Sequence, residues 1–178
     1  MRRTSTDPTR HALNGRTMGT RWSALFHADP KPDLGPVQAA LQTAVDEVDA
    51  QMSTWKSDGD LMRLNGAPEG VGVDIPAGLA EVLDLGLRIG AASGGAFDIG
   101  MGDAVRAWGF GPEEAGIEAI RAAMATARRP AQEVLEIDRV AGLARKHAPI
   151  TLDLNGIAKG YGVDRLAGTL QCFGVTAF

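Results

Sequence analysis

The residues best suited to chemistry gather in PITLDLNGIAKGYGVDRL, positions 149–166, where a carboxylate (Asp153), a glycine carbonyl (Gly156) and an ammonium (Lys159) lie close to the start of a helical pattern. Unpaired amides at a helix start attract anions, and a carboxylate beside a main-chain oxygen suits a hard cation, so the set fits a phosphate with a divalent ion. On spacing alone, the same joint also reads as an ordinary strand-to-helix turn, with Asp153 solvated and Lys159 on the surface. A second region, SGGAFDIGMGDAVRAWGFG at 93–111, interleaves glycines with bulky apolar residues and two aspartates. That composition fits backbone held close to another group while aromatic rings pin the loop. Asp98 stands equally as a ligand-facing or a structural group, and Asp103 reads as an N-cap for the turn Ala104 to Trp108. Trp55, just beyond a helix, reads as a core plug or as a face on which a flat ligand stacks.

Elements that must position these residues follow from periodicity. Ile150, Leu152 and Leu154 alternate with Thr151 and Asp153, predicting a half-buried strand. Asn155-Gly156 then predicts a turn tolerant of positive φ, followed by a helix carrying Ala158, Tyr161, Val163, Leu166 and Leu170. Upstream, Trp22, Ala24 and Phe26 alternate as a strand, ended by Pro30, Pro32 and Gly35. A helix from Pro36 carries the stripe Val37, Leu41, Val45, Val48 and Met52. A second runs from Pro76 to about Ala92 with Leu79, Val82, Leu83, Leu85 and Ile89 inward, and Ser93-Gly94-Gly95 as its stop. Pro112 to Ala127 predicts a third, with Ile117, Ile120 and Met124 on one face and Glu113 and Glu114 in its first turn. Val134 to Val140 and Gly142 to Lys146 read as two short strands or a hairpin leading into the 149–166 stretch. The expected class is α+β, a mixed sheet with several packed helices. Residues 1–15 read as a flexible N-terminal arm, and 16–178 as one domain.

Composition narrows the function classes. The chain has 178 residues, 44% hydrophobic and 22% charged, as globular domains do, and its 23 Gly and 9 Pro promise many turns. A net charge of -4 without a basic stripe argues against nucleic acid as partner. The single Cys172 forms no intrachain disulfide and reads as a small core residue; His11, His27 and His147 are scattered, so no zinc site is indicated. No transmembrane run and no signal-peptide core are visible, so the chain as written reads as cytoplasmic or as a trimmed form of an exported protein. Neither a G-x-G-x-x-G after a strand nor a P-loop occurs, and no catalytic residue is picked out.

Four ordered blocks carry a resemblance. They are Thr17-Met18-Gly19-Thr20; Met52-Ser53-Thr54-Trp55 running on to Leu64-Asn65; Gly95-Ala96-Phe97-Asp98 running on to Trp108-Gly109-Phe110-Gly111; and Leu152-Asp153-Leu154-Asn155-Gly156-Ile157-Ala158-Lys159-Gly160-Tyr161. Together they resemble the ApbE family, the FAD:protein FMN transferases, over nearly the whole ordered chain. The resemblance implies binding of FAD with Mg²⁺, transfer of the FMN half to a threonine or serine hydroxyl of a target flavoprotein, and release of AMP. Alternatives are a non-catalytic FAD-binding module and a Mg²⁺-dependent pyrophosphatase giving FMN and AMP. By block matching, Met18, Trp55, Ala96, Phe97, Asp98, Asp153 and Lys159 look like FAD-contacting positions, with the Gly156 carbonyl on the metal. Trp55 stands where many relatives carry Tyr. The resemblance also implies a periplasmic or inner-membrane-associated setting and a longer domain, of which this sequence looks like the N-terminal half; the later metal-ligand block lies beyond it.

Overall fold

The structure is a computed structural model, and it describes residues 9–28, 33–111 and 114–178. In chain order the elements are β1 (Thr9–Thr17), β2 (Thr20–Ala28), α1 (Leu34–Met52), α2 (Asp60–Gly66), β3 (Gly72–Asp74), α3 (Ala77–Ala92), α4 (Gly102–Ala107), α5 (Ile117–Ala125), α6 (Ala131–Val134), β4 (Leu135–Asp138), β5 (Leu143–Lys146) and α7 (Ala158–Cys172). The class is α+β. The named strands pair antiparallel, and the parallel component is one bridge, Met101 to Thr151. Two compact units emerge: the described residues of Met1–Asp49 with Lys159–Phe178, and Ala50–Ala158.

In the first unit β1 and β2 form a hairpin whose register runs from Thr9 opposite Ala28 to Thr17 opposite Thr20. This corrects the expectation that residues up to 15 are an arm: Thr9 to Gly15 form most of β1, while residues 1–8 lie outside the described residues. His11, Leu13, Gly15 and Thr17 are half-buried on one side of the strand. With one leucine among them, that inward set hides the alternation that betrays β2, where Trp22, Ala24 and Phe26 are buried as expected. These three join Val37, Leu41 and Val45 of α1, Leu166 and Leu170 of α7, and Val175 in one cluster. The Trp22 indole N–H finds its acceptor in Gln42 Oε1 at 3.0 Å, so a buried ring keeps its polar edge satisfied. Val163, expected on the apolar face of α7, is exposed, and Cys172, expected in the core, is exposed as well.

In the second unit β3, β5 and β4 form a small sheet in that spatial order, which bears out the hairpin expected before position 147. In the same unit α3 buries Leu79, Ala80, Val82, Leu83, Gly86 and Gly90, with Gly86 facing Ile99. Pro76 stands just outside the helix at its N-cap. Ile89, expected inward, is exposed, because Gly86 and Gly90 take the inward positions around it. The third helix is shorter than expected: α5 begins at Ile117, so Glu114 precedes it, and Pro112 and Glu113 lie outside the described residues. Its inward residue is Ala123, whereas Ile117 and Met124 are exposed; a contact face built on Ala brings the helix close and leaves the larger side chains at the rim.

Candidate functional site

The stretch at 150–154 keeps the predicted alternation, with Leu152 and Leu154 fully buried and Thr151 and Asp153 half-buried, yet it is not a strand beyond the Thr151 bridge. Its backbone is satisfied from other quarters. Thr151 O accepts from Gly102 N–H (2.9 Å), and Asp153 N–H donates to Ile99 O (2.9 Å). Both polar groups of Leu152 go to one side chain: its N–H donates to Asn65 Oδ1 (2.7 Å), and its carbonyl accepts from Asn65 Nδ2 (2.9 Å). An amide side chain thus replaces a neighbouring strand, meeting the requirement that buried backbone groups find partners. Gly102 permits this approach, since a Cβ there would stand 2.8 Å from Thr151 O.

Asp153 lies between that segment and the turn at Asn155. Its Oδ1 accepts from Asn155 N–H (2.8 Å) and its Oδ2 from Asn155 Nδ2 (2.9 Å). Burial pushes its carboxyl above the usual aspartate range, and the two hydrogen bonds from Asn155 only partly offset this. It lines a cavity of about 130 Å³ with Thr54, Asn65, Arg106 and Phe110. Thr54 Oγ1 is buried there without a protein hydrogen-bond partner. Ligand pockets are commonly about 300–1,000 Å³, so this cavity has the size of a subsite. Asn155 and Gly156 form the expected turn, and they do so without positive φ. The lack of a side chain at Gly156 serves a close approach instead: a Cβ would stand 3.1 Å from Phe97 Cε2. The structure therefore brings Phe97 and Gly156 into contact.

The other predicted positions of this unit separate into ring and scaffold. Trp55 is 65% exposed, which excludes the core-plug reading, and its backbone N–H donates to Ser53 Oγ at 3.2 Å. Ala96 is exposed and Phe97 half-buried. Asp98 accepts from Gly100 N–H (2.7 Å) and from Ala131 N–H (3.3 Å), so its carboxylate staples the glycine-rich turn to the start of α6. Asp103 does not cap α4, whose N-cap is Met101. It meets Arg128 through two contacts, at 2.6 and 3.1 Å. Burial alone would raise its carboxyl, but hydrogen bonds and charge from Arg128 outweigh that and hold it below the usual range.

Met18 and Lys159 belong to the first unit, where both line a groove of about 470 Å³ beside β2 and α7. Met18 and Gly19 are the two loop residues of the β1–β2 hairpin, with φ of 45° and 67°. Positive φ at both positions is what a tight hairpin of this hand requires, and Asn or Gly usually supplies it. A methionine there is backbone strain of roughly 1–3 kcal/mol, retained where the side chain has a use. Met18 Cε reaches to 3.3 Å of where a Cβ on Gly162 would stand.

Sequence reasoning missed Thr54, Asn65 and Arg106 as cavity residues. Thr54 and Asn65 fell inside recognised blocks but had no assigned role, and Arg106 carried no signal. Among the described residues, no three His, Cys, Asp or Glu side chains stand together as metal ligands. Mg²⁺ asks for six oxygens in near-octahedral array, so the described side chains do not by themselves fit the ion.

Comparison with known proteins places this geometry. Residues 18–178 match the ApbE family. The FAD:protein FMN transferase of Klebsiella pneumoniae (strain 342) is 31% identical over 171 residues, covering 93% of this chain and 49% of its own. The apo flavinyl transferase ApbE of Pseudomonas stutzeri superposes with a TM-score of 0.82 at 30% identity, over 96% of this chain and 55% of that one. The flavin transferase ApbE of Vibrio cholerae gives 0.83 at 30% identity, over 94% and 55%. The chain spans about half the length of the curated relatives it matches.

Proposed function

The chain belongs to the ApbE family, and from that footing we propose that it supplies the flavin-holding part of an FAD:protein FMN transferase. Supporting this reading above all is the match over residues 18–178 to proteins named for that activity. In this reading Met18, Trp55, Ala96, Phe97, Asp98, Asp153 and Lys159 contact FAD. Trp55 offers an exposed flat ring for stacking, and Lys159, exposed at the start of α7, offers an ammonium to the pyrophosphate. Asp98 enters with its oxygens already engaged by backbone amides, so in this reading it meets FAD while also shaping the loop that carries Ala96 and Phe97.

In the proposed reaction an acceptor threonine or serine hydroxyl attacks the FMN phosphorus. A new P–O bond forms, the pyrophosphate P–O bond breaks, AMP departs with the electron pair of the broken bond, and the hydroxyl proton passes to solvent water. Stabilising charge on those oxygens is the main task of such a site. When bound, Mg²⁺ would supply part of that stabilisation, and the Gly156 carbonyl would be one of its ligands. A target flavoprotein and a periplasmic or inner-membrane-associated setting belong to the same reading. No helix among the described residues is long and apolar enough to cross a membrane.

The test is incubation with FAD, Mg²⁺ and a flavoprotein bearing an acceptor threonine, with this chain and with one extended by any coding sequence that follows. AMP release with covalent fluorescent labelling of the acceptor supports the reading. Free FMN and AMP without labelling would make the protein a pyrophosphatase. Failure of both chains to bind FAD would overturn a flavin role altogether.

A further inference from the structure

Asn65 is the penultimate residue of α2, and it is tied at both its main chain and its side chain. Its carbonyl accepts from the ammonium of Lys146, a residue only 5% exposed. Its side-chain amide takes both polar groups of Leu152, at 2.7 and 2.9 Å. The residues on either side of Leu152 are held by the 99–102 segment, through Gly102 N–H to Thr151 O and Asp153 N–H to Ile99 O, each 2.9 Å. The backbone at 151–153 is therefore gripped from two directions, and Leu152 itself is gripped by Asn65. Because side chains alternate along an extended chain, fixing Leu152 inward fixes the direction of Asp153. Asn65 also lines the cavity that Asp153 lines.

We propose that Asn65 is a positioning residue for the flavin site, holding Asp153 in its ligand-facing orientation by acting as a one-residue strand against Leu152. The proposal rests on the flavin reading of Asp153. Only a primary amide of this length offers a donor and an acceptor side by side in the geometry of a backbone neighbour. Asn65→Asp keeps the shape and the acceptor but sets a carboxylate oxygen against Leu152 O, while Asn65→Ala removes both bonds.

The experiment is an FAD titration, followed by fluorescence quenching, of the full chain and of Asn65→Ala, Asn65→Asp, Asp153→Asn and the double variants. If Asn65 acts through Asp153, Asn65→Ala should weaken FAD binding about tenfold in the wild-type background and less than about twofold once Asp153 is Asn, since coupled sites are non-additive. Losses that multiply in the double variant would overturn the proposal. Amide hydrogen exchange separates this from failure of the flavin reading. In Asn65→Ala the Leu152 and Asp153 amides should exchange at least about tenfold faster, with α3 unchanged, whether or not FAD binds. Unaltered exchange at Asp153 would overturn the proposal, whereas wild-type chain that exchanges as expected but ignores FAD would overturn only the flavin reading.

Discussion

At the residue scale, Met18 and Asp153 each sit in a conformation or environment that folding alone would not choose. Met18 holds φ 45° at a hairpin position suited to Asn or Gly. Met18→Gly should therefore raise stability by up to about 1 kcal/mol through relief of that strain, as read by denaturant unfolding, while weakening FAD binding; a variant that loses stability would show that no strain is stored there. Asp153 has a carboxyl pushed up by burial, so the folded chain holds its proton more tightly than the unfolded chain does. Its contribution to stability is present below the ordinary aspartate value and is lost as pH rises through the raised folded value. Asp153→Asn should flatten the pH dependence of unfolding in that window, and NMR titration of the carboxyl should find it above the usual aspartate range.

At the scale of elements, the polar side chains that serve as backbone partners carry the local architecture. Asp98 joins the turn after α3 to the first residue of α6; Asp98→Ala should cost about 1–3 kcal/mol, the price of leaving partly buried amides unpaired. Asp103 and Arg128 tie α4 to the segment after α5. Here the folded carboxyl lies below its usual value despite burial, so the stabilisation is present above the ordinary aspartate range and is lost as pH falls through the folded value. Arg128→Ala should remove this acid dependence along with up to about 1 kcal/mol, as for a partly exposed pair. By contrast, Ile117→Lys on the outer side of α5 should change stability by less than about 0.5 kcal/mol, because Ile117 is 71% exposed.

At the scale of the molecule, two compact units divide the predicted flavin positions: Met18 and Lys159 in one, and Trp55, Ala96, Phe97, Asp98, Asp153 and Gly156 in the other. In the proposed reading the Gly156 carbonyl alone is offered to Mg²⁺, and the chain spans about half of its curated relatives. FAD affinity of the 178-residue chain is accordingly expected to change little when Mg²⁺ is replaced by a chelator, whereas a chain extended toward the relatives' length should bind FAD more tightly with the ion. A large Mg²⁺ effect on the shorter chain would show that its own oxygens suffice.

The sequence by itself determined the family, the α+β class, the long amphipathic helices and the buried alternation of Trp22, Ala24 and Phe26, because periodicity and ordered blocks are written locally. Tertiary structure decided what such signals cannot carry. Thr9–Thr17 is a strand because β2 pairs with it, although its own inward residues are too polar to announce one. Residues 150–154 keep the strand alternation without being a strand, because Asn65, 87 positions away, occupies the partner's place. Trp55 is a free face because nothing in the described structure covers most of its ring, and no local pattern distinguishes that from a plug. Position along the chain selects which residues are capable of chemistry; only long-range packing decides what each carboxylate meets, Asp98 the amide of Ala131 and Asp153 a cavity shared with Asn65.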